Sequence, residues 1–206
     1  MSAGDEMTSV REPQQDRSRA TRERLLVSTI EMLAANGWAA TTVAAVAESA
    51  GVSRGAAQHH FPTRESLITA TLDAMFEQLT VSIAEPMAQL PSGADRVDAV
   101  VGRAVEIYTG VPFKAALQVW AAAASDAVLR EQILPREEKF ARAAHRITVA
   151  GLDPTGENPN AHRLAQATLD LARGLGLADT LSDDSRRRAQ VVATWCAQLK
   201  LGLGVG

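Results

Sequence analysis

The stretch TTVAAVAESAGVSRGAAQHHFPTRESL, from Thr41 to Leu67, constrains the fold more than any other part of the chain. Thr42 stands where a side-chain oxygen accepts from an orphan amide at a helix start. Val43, Val46, Ala47 and Ala50 follow at helical spacing and make one narrow apolar face. Gly51 comes next, where a left-handed residue ends a helix without steric cost. Ser53 is placed to cap a second helix, which must stop near His60 because Pro62 disfavours the α conformation at Phe61. Thr63 restarts a third helix, with Glu65 in its first turn favoured by the helix dipole. Ala47 presents only a methyl where two helices cross closely, and Val52 and Ala57 supply apolar contacts beneath the second. A small residue, a glycine and apolar anchors at these offsets are what a steep helix-turn-helix crossing demands.

The charge distribution agrees with that motif. The formal net charge is −3, which argues against a protein that coats nucleic acid indiscriminately. Between Arg17 and Arg64, however, six arginines (17, 19, 22, 24, 54, 64) face three glutamates (23, 31, 48). Arg17 to Arg24 alone could be a solvated helix start. Beside a helix-turn-helix, phosphate contact explains them better.

The rest of the chain reads as helical throughout. Residues 1–16 are polar and aperiodic, as a disordered tail would be. A first helix is expected from about Ser18 to Asn36, with Leu26, Ile30 and Leu33 inward and Gly37 ending it. Trp38 is placed to close the small core of a head spanning 17–62. In the remainder, 63–206, helices are expected from Thr63 to Glu85, Asp95 to Thr109, Phe113 to Arg130, and from Pro135 to Ala150. Two more follow, about 161–175 and 184–202, separated by Gly174, Gly176 and a polar turn. No alternating strand pattern appears, so the fold class is all-α with about nine helices. No apolar run approaches the roughly 18 residues of a membrane span. The first residues lack the apolar core of a secretory signal. The single cysteine, Cys196, excludes an intrachain disulfide. A cytoplasmic location is the expectation.

The head resembles the TetR family of bacterial transcriptional regulators. ANGWAATTV followed by VAESAGVSRGAAQHHFPTRESLI is similar to that family's Gly-aromatic turn, its AGVS turn and its HF-x-x-(Lys/Arg)-x-x-L exit, over roughly residues 20–72. The resemblance implies a homodimer whose heads enter successive major grooves of a palindromic operator. It also implies a C-terminal domain that binds a small molecule and alters the separation of the heads; a ligand-responsive repressor is the leading expectation, the sequence itself leaving repression and activation open. By the same resemblance, Thr42 and Ser53 cap helices near phosphates. Arg54, Gly55, Ala56, Gln58 and His59 lie on the reading face, and His60, Thr63 and Arg64 engage phosphates. Many relatives have Tyr where this chain has Gln58, and Lys where it has Arg64. Gln pairs bidentately with adenine and Arg with guanine, each worth about 1–3 kcal/mol of discrimination.

Other constellations carry less. His59 and His60 point about 100° apart on a helix, so no metal site is expected there. No phosphate loop, nucleophile elbow or paired carboxylates suggest an enzyme, and no cofactor is implied. Met75, Phe76, Leu79, Tyr108, Phe113, Leu117, Gln118, Trp120 and His145 either line a largely apolar effector cavity or form plain core. Leu164, Thr168, Leu171, Leu175, Val192, Trp195 and Leu199 make a stripe on the last two helices wide enough to face a second subunit. The resemblance implies pairing through those helices, and a monomeric core is the alternative. A regulator controlled without an inducer, and a helical carrier or enzyme without DNA recognition, remain the rival functions.

Overall fold

The computed structural model describes residues 12–87 and 89–205. Among them are nine helices and no strand: α1 Glu12–Ala40, α2 Val43–Ser49, α3 Arg54–His60, α4 Arg64–Met87, α5 Ala94–Thr109, α6 Val111–Ser125, α7 Ala127–Leu152, α8 Ala161–Ala178 and α9 Ser185–Leu203. The all-α expectation is met. The expected disordered tail falls largely outside the described residues, and its last part is helical, since α1 starts at Glu12 rather than near Ser18.

Helix α1 serves two cores. Its Leu25 and Leu26 join Val46, Ala47, Ala57, Phe61 and Leu67 in the core of the head. Its Leu33 belongs instead to the large core of the body, with Ile30, Ala34 and Trp38 packed against it. Gly37, expected to end the helix, interrupts it at φ 78°, ψ 179°, and helical turns resume to Ala40. That kink turns Trp38 toward the body core, so it does not close the head as expected. Head and body thus share α1 and α4 rather than meeting at a linker.

In the body, several helix ends differ from their expected places. Phe113 to Arg130 is not one helix: α6 stops at Ser125, and Asp126 caps α7 by accepting from the Leu129 amide at 3.0 Å. Pro135 lies inside α7 on its exposed side and does not start it. Gly174 and Gly176 lie inside α8, which runs on to Ala178. The reason for Gly176 is tertiary. A Cβ there would sit 1.9 Å from the Tyr108 carbonyl oxygen and 2.7 Å from the Phe113 ring, so α8 can cross the end of α5 only without a side chain. Phe113 stands edge-on to both Tyr108 and Trp120, at centroid distances of 5.0 and 5.6 Å. Phe76 of α4 stacks on Phe140 of α7 at 4.8 Å. A third cluster joins α5, α7, α8 and α9 through Val97, Val101, Leu152, Ala165, Cys196 and Leu199. No helix among the described residues is long and apolar enough to cross a membrane.

Candidate nucleic-acid interface

Helices α2 and α3 have seven residues each, too short to persist on propensity alone. Both are fastened by side-chain caps. The Ala45 amide donates to Thr42 Oγ1 and the Ala56 amide to Ser53 Oγ, each at 3.2 Å. Between them Gly51 takes φ 63°, and the Val52 amide returns to the Ala47 carbonyl at 2.9 Å. Ala57 is fully buried beneath α3 and Ala47 nearly so beneath α2. The third start is a reciprocal box: the Ser66 amide donates to Thr63 Oγ1 at 3.1 Å, and the Thr63 amide to Ser66 Oγ at 3.2 Å.

With Ala57 pinned inward, the opposite side of α3 is turned out. Arg54, Gly55, Gln58 and His59 are exposed, Ala56 and His60 half-buried. Thr42, Ser53 and Thr63 are exposed at the helix starts. A Cβ on Gly55 would meet nothing within 4 Å, so nothing in the chain itself calls for a glycine there. Arg22 of α1 reaches over the Phe61 ring, its guanidinium carbon 5.5 Å from the centroid. Burial, and then the positive charges of His59 and Arg22, push the His60 imidazole below its ordinary pKa. The outward face of α3 carries Arg54 and two histidines and no carboxylate.

Arg64 is placed differently from its companions. Its guanidinium carbon lies 3.9 Å from the centroid of the Trp38 ring, and it donates to the Trp38 carbonyl oxygen. It is half-buried, and burial lowers its pKa. In the free chain this arginine clamps the start of α4 to the end of α1, and sequence spacing gave no sign of that clamp.

The residues expected around an effector cavity are mostly packed solid. Met75, Phe76, Tyr108 and Phe113 are buried in the body core, with Leu79, Leu117 and Trp120 packed against it. The void beside Tyr108 and Phe140 is only about 10 Å³, room for one water. Gln118 faces the head: its Oε1 would be 3.2 Å from a Cβ on Gly37, at the α1 kink. His145 lies apart, its Nε2 3.1 Å from the His162 carbonyl oxygen. Two of the set border open clefts: Trp120 one of about 320 Å³ between α6, α7 and α8, and Phe76 one of about 590 Å³ between α4 and α7.

Of the stripe expected to pair two subunits, Thr168, Leu175 and Leu199 are buried within the chain, while Leu164, Leu171, Val192 and Trp195 are half-buried. Trp195 is oriented by its indole N–H, which donates to Thr168 Oγ1 at 3.0 Å. Outside that stripe, Leu177, Leu181 and Leu201 are left exposed on and around α8 and α9.

Comparison with known proteins places this geometry. The family model described as "Bacterial regulatory proteins, tetR family" matches residues 25–71, which is the head and the start of α4. The HTH-type transcriptional regulator CymR of Pseudomonas putida is 34% identical over 127 residues, covering 62% of this chain and 63% of that protein, so the match spans under two thirds of the relative's length. The crystal structure of a transcriptional regulator from Rhodococcus sp. Rha1 superposes with a TM-score of 0.69 at 24% identity, covering 89% of this chain and 97% of that one. A protein from Saccharomonospora viridis, solved in complex with choline, superposes with a TM-score of 0.66 at 17% identity, covering 91% and 99%.

Proposed function

We propose that this chain, whose head matches the model of the TetR family of bacterial regulatory proteins over residues 25–71, is a DNA-binding transcriptional repressor, acting as a homodimer on a palindromic operator and released by a small effector. The observation that carries the reading is the outward face of α3. Arg54, Gln58 and His59 are exposed on a helix whose position is set by the Ser53 cap and the buried Ala57. Donors of this kind on a rigid, positive helix suit base edges in a major groove. Thr42, Ser53, Thr63 and the arginines of α1 suit the flanking phosphates. Half-sites about 34 Å apart would require two heads, and the apolar residues left exposed on α8 and α9 favour a second copy there.

Release would follow from linkage. An effector that favours one separation of the heads weakens DNA binding by its differential affinity, typically about 1–3 kcal/mol. The route in this chain is α6, which carries Trp120 at the open cleft and Gln118 against the α1 kink at Gly37. The choline bound by a protein of the same fold supports a body that accepts small molecules. The closed core around Tyr108 favours the second reading, a regulator with no internal inducer. Measuring DNA affinity with and without candidate metabolites separates the two.

The direct test is selection of binding sites from random duplexes, followed by titration over a range of salt. A repressor of this design selects a palindrome and loses affinity steeply as salt rises. Arg54→Ala relaxes the choice at one base pair, while Arg64→Ala, which frees α4 from Trp38, weakens all sequences alike. Selection of no sequence, or the same loss on every sequence from both substitutions, overturns the assignment.

A further inference from the structure

The cleft between α6, α7 and α8 has a property that the rest of the body lacks. Three of the residues that line it each carry a buried polar atom with no hydrogen-bond partner among the described residues: Trp120 Nε1, Glu137 Oε2 and Arg173 Nε. They come from three different helices, and the wall between them is apolar, built by Ala123, Ile133 and Leu134. Unpaired buried donors and acceptors are costly, and finding three on one cleft marks a place where a partner molecule is accommodated. At about 320 Å³ the opening is at the small end of ligand sites.

We propose that this cleft binds a small apolar molecule through a carbonyl-bearing head, the apolar body lying on Ala123, Ile133 and Leu134 and the head oxygen accepting from Trp120 Nε1–H and Arg173 Nε–H. The proposal rests on the effector reading given above and names the chemistry of that effector. The donors are held in place from behind. Asp170 pairs with the Arg173 Nη1 at 2.9 Å, and Tyr108 lies under the same guanidinium, its centroid 5.4 Å from the guanidinium carbon. That leaves Nε–H as the unpaired edge of Arg173. A cationic head is disfavoured, because Arg130 and Arg173 both line the opening and Glu137 is the one acid on its walls.

Glu137 decides which carbonyl is taken. Burial raises its pKa, and the Arg173 charge opposes that rise. The groups around it are Arg173 and Asp170 from α8, Tyr108 from α5, and Arg130 on its own helix, with Trp120 facing it from α6. A carboxylate head needs a proton on Glu137 and binds more tightly as pH falls. An amide head instead donates its own N–H to the ionised Glu137.

Calorimetric titration of the full chain with hexanoate, hexanamide and hexylamine tests the site, alongside the indole N–H resonances of its three tryptophans. The expected result is saturable binding of hexanoate or hexanamide, with the Trp120 resonance moving and those of Trp38 and Trp195 staying put. Trp120→Phe keeps the ring and loses the donor, and should weaken that binding about fivefold, the worth of one net hydrogen bond. Glu137→Gln tightens hexanoate and removes its pH dependence if the head is a carboxylate, and weakens hexanamide if it is an amide. Tightest binding by hexylamine, no saturable binding by either carbonyl compound, or equal affinity in both variants overturns the proposal. Binding that leaves operator affinity unchanged keeps the site and removes the effector role. A compound that releases DNA equally well from Trp120→Phe keeps the effector role and removes the site.

Discussion

The head and the body of this protein hold their helices by different means. In the head, α2 and α3 are one-sided and short, and each begins with a side-chain cap, at Thr42 and Ser53. In the body, α5, α6, α8 and α9 are two to three times as long and their N-cap residues make no side-chain cap bond, α7 with its Asp126 cap being the exception. A seven-residue helix with one face in water cannot rely on burial, so its ends must be fixed locally. A helix buried among several neighbours is fixed by packing, and its local end signals can be weak or even contradictory. Function follows the same division. On the function proposed, the head would work through side chains turned outward, and the body through groups that only the tertiary fold brings together.

The largest expected effect tests the packing half of that contrast. Gly176→Ala pushes a methyl into the Tyr108 carbonyl and the Phe113 ring, both of which belong to packed core. Neither can withdraw without separating α8 from α5. The expected loss is about 3 kcal/mol, at the upper end for overpacking a core, read from the urea midpoint of the full chain. A variant as stable as the parent would mean that the body yields where it is described as tight.

This division also explains what could be read beforehand. The turn at Gly51, both caps, the buried Ala47 and Ala57 and the stop before Pro62 are local matters, each set by residues within about one turn of one another, and all lie where spacing places them. Gly174, Gly176 and Pro135 carry the same punctuation signals, yet none ends or begins a helix. At Gly176 the glycine answers to Tyr108, 68 positions away in the chain, which no local pattern can report. Arg64 was legible as a positive charge at the exit of the head, but its place over Trp38 depends on the kink at Gly37. Of the cleft, Trp120 was singled out for its aromatic ring. Glu137 and Arg173 look like ordinary charged residues on helical surfaces until α6, α7 and α8 are assembled.

A middle-sized effect compares caps directly. Ser53→Ala removes the acceptor of the Ala56 amide and should cost about 1 kcal/mol. Asn160→Ala, at the start of α8, removes only an exposed contact to Arg163 and should change stability by less than about 0.5 kcal/mol. Urea unfolding of both variants checks the pair. Equal losses would show that body helices depend on their first residue as head helices do, and the contrast would dissolve.

The smallest effect is the most informative about the outward face. Gly55 occupies the first turn of α3, where a Cβ would touch nothing within 4 Å. Within the chain, then, Gly55→Ala can only help, by about 0.5 kcal/mol, because alanine loses less conformational freedom in a helix. Gly176→Ala adds the same methyl and is expected to do the opposite, so the two alanines set the head and body against each other. The gain at Gly55 should come with a loss on duplex DNA, since a backbone lying close to a phosphate or base edge has no room for a methyl. Titration of the selected duplex alongside the unfolding curve reads both signs at once. A more stable variant that binds its operator as well as before would mean that α3 does not approach DNA along the Arg54–Gln58 side, and the reading face would have to be sought elsewhere on the head.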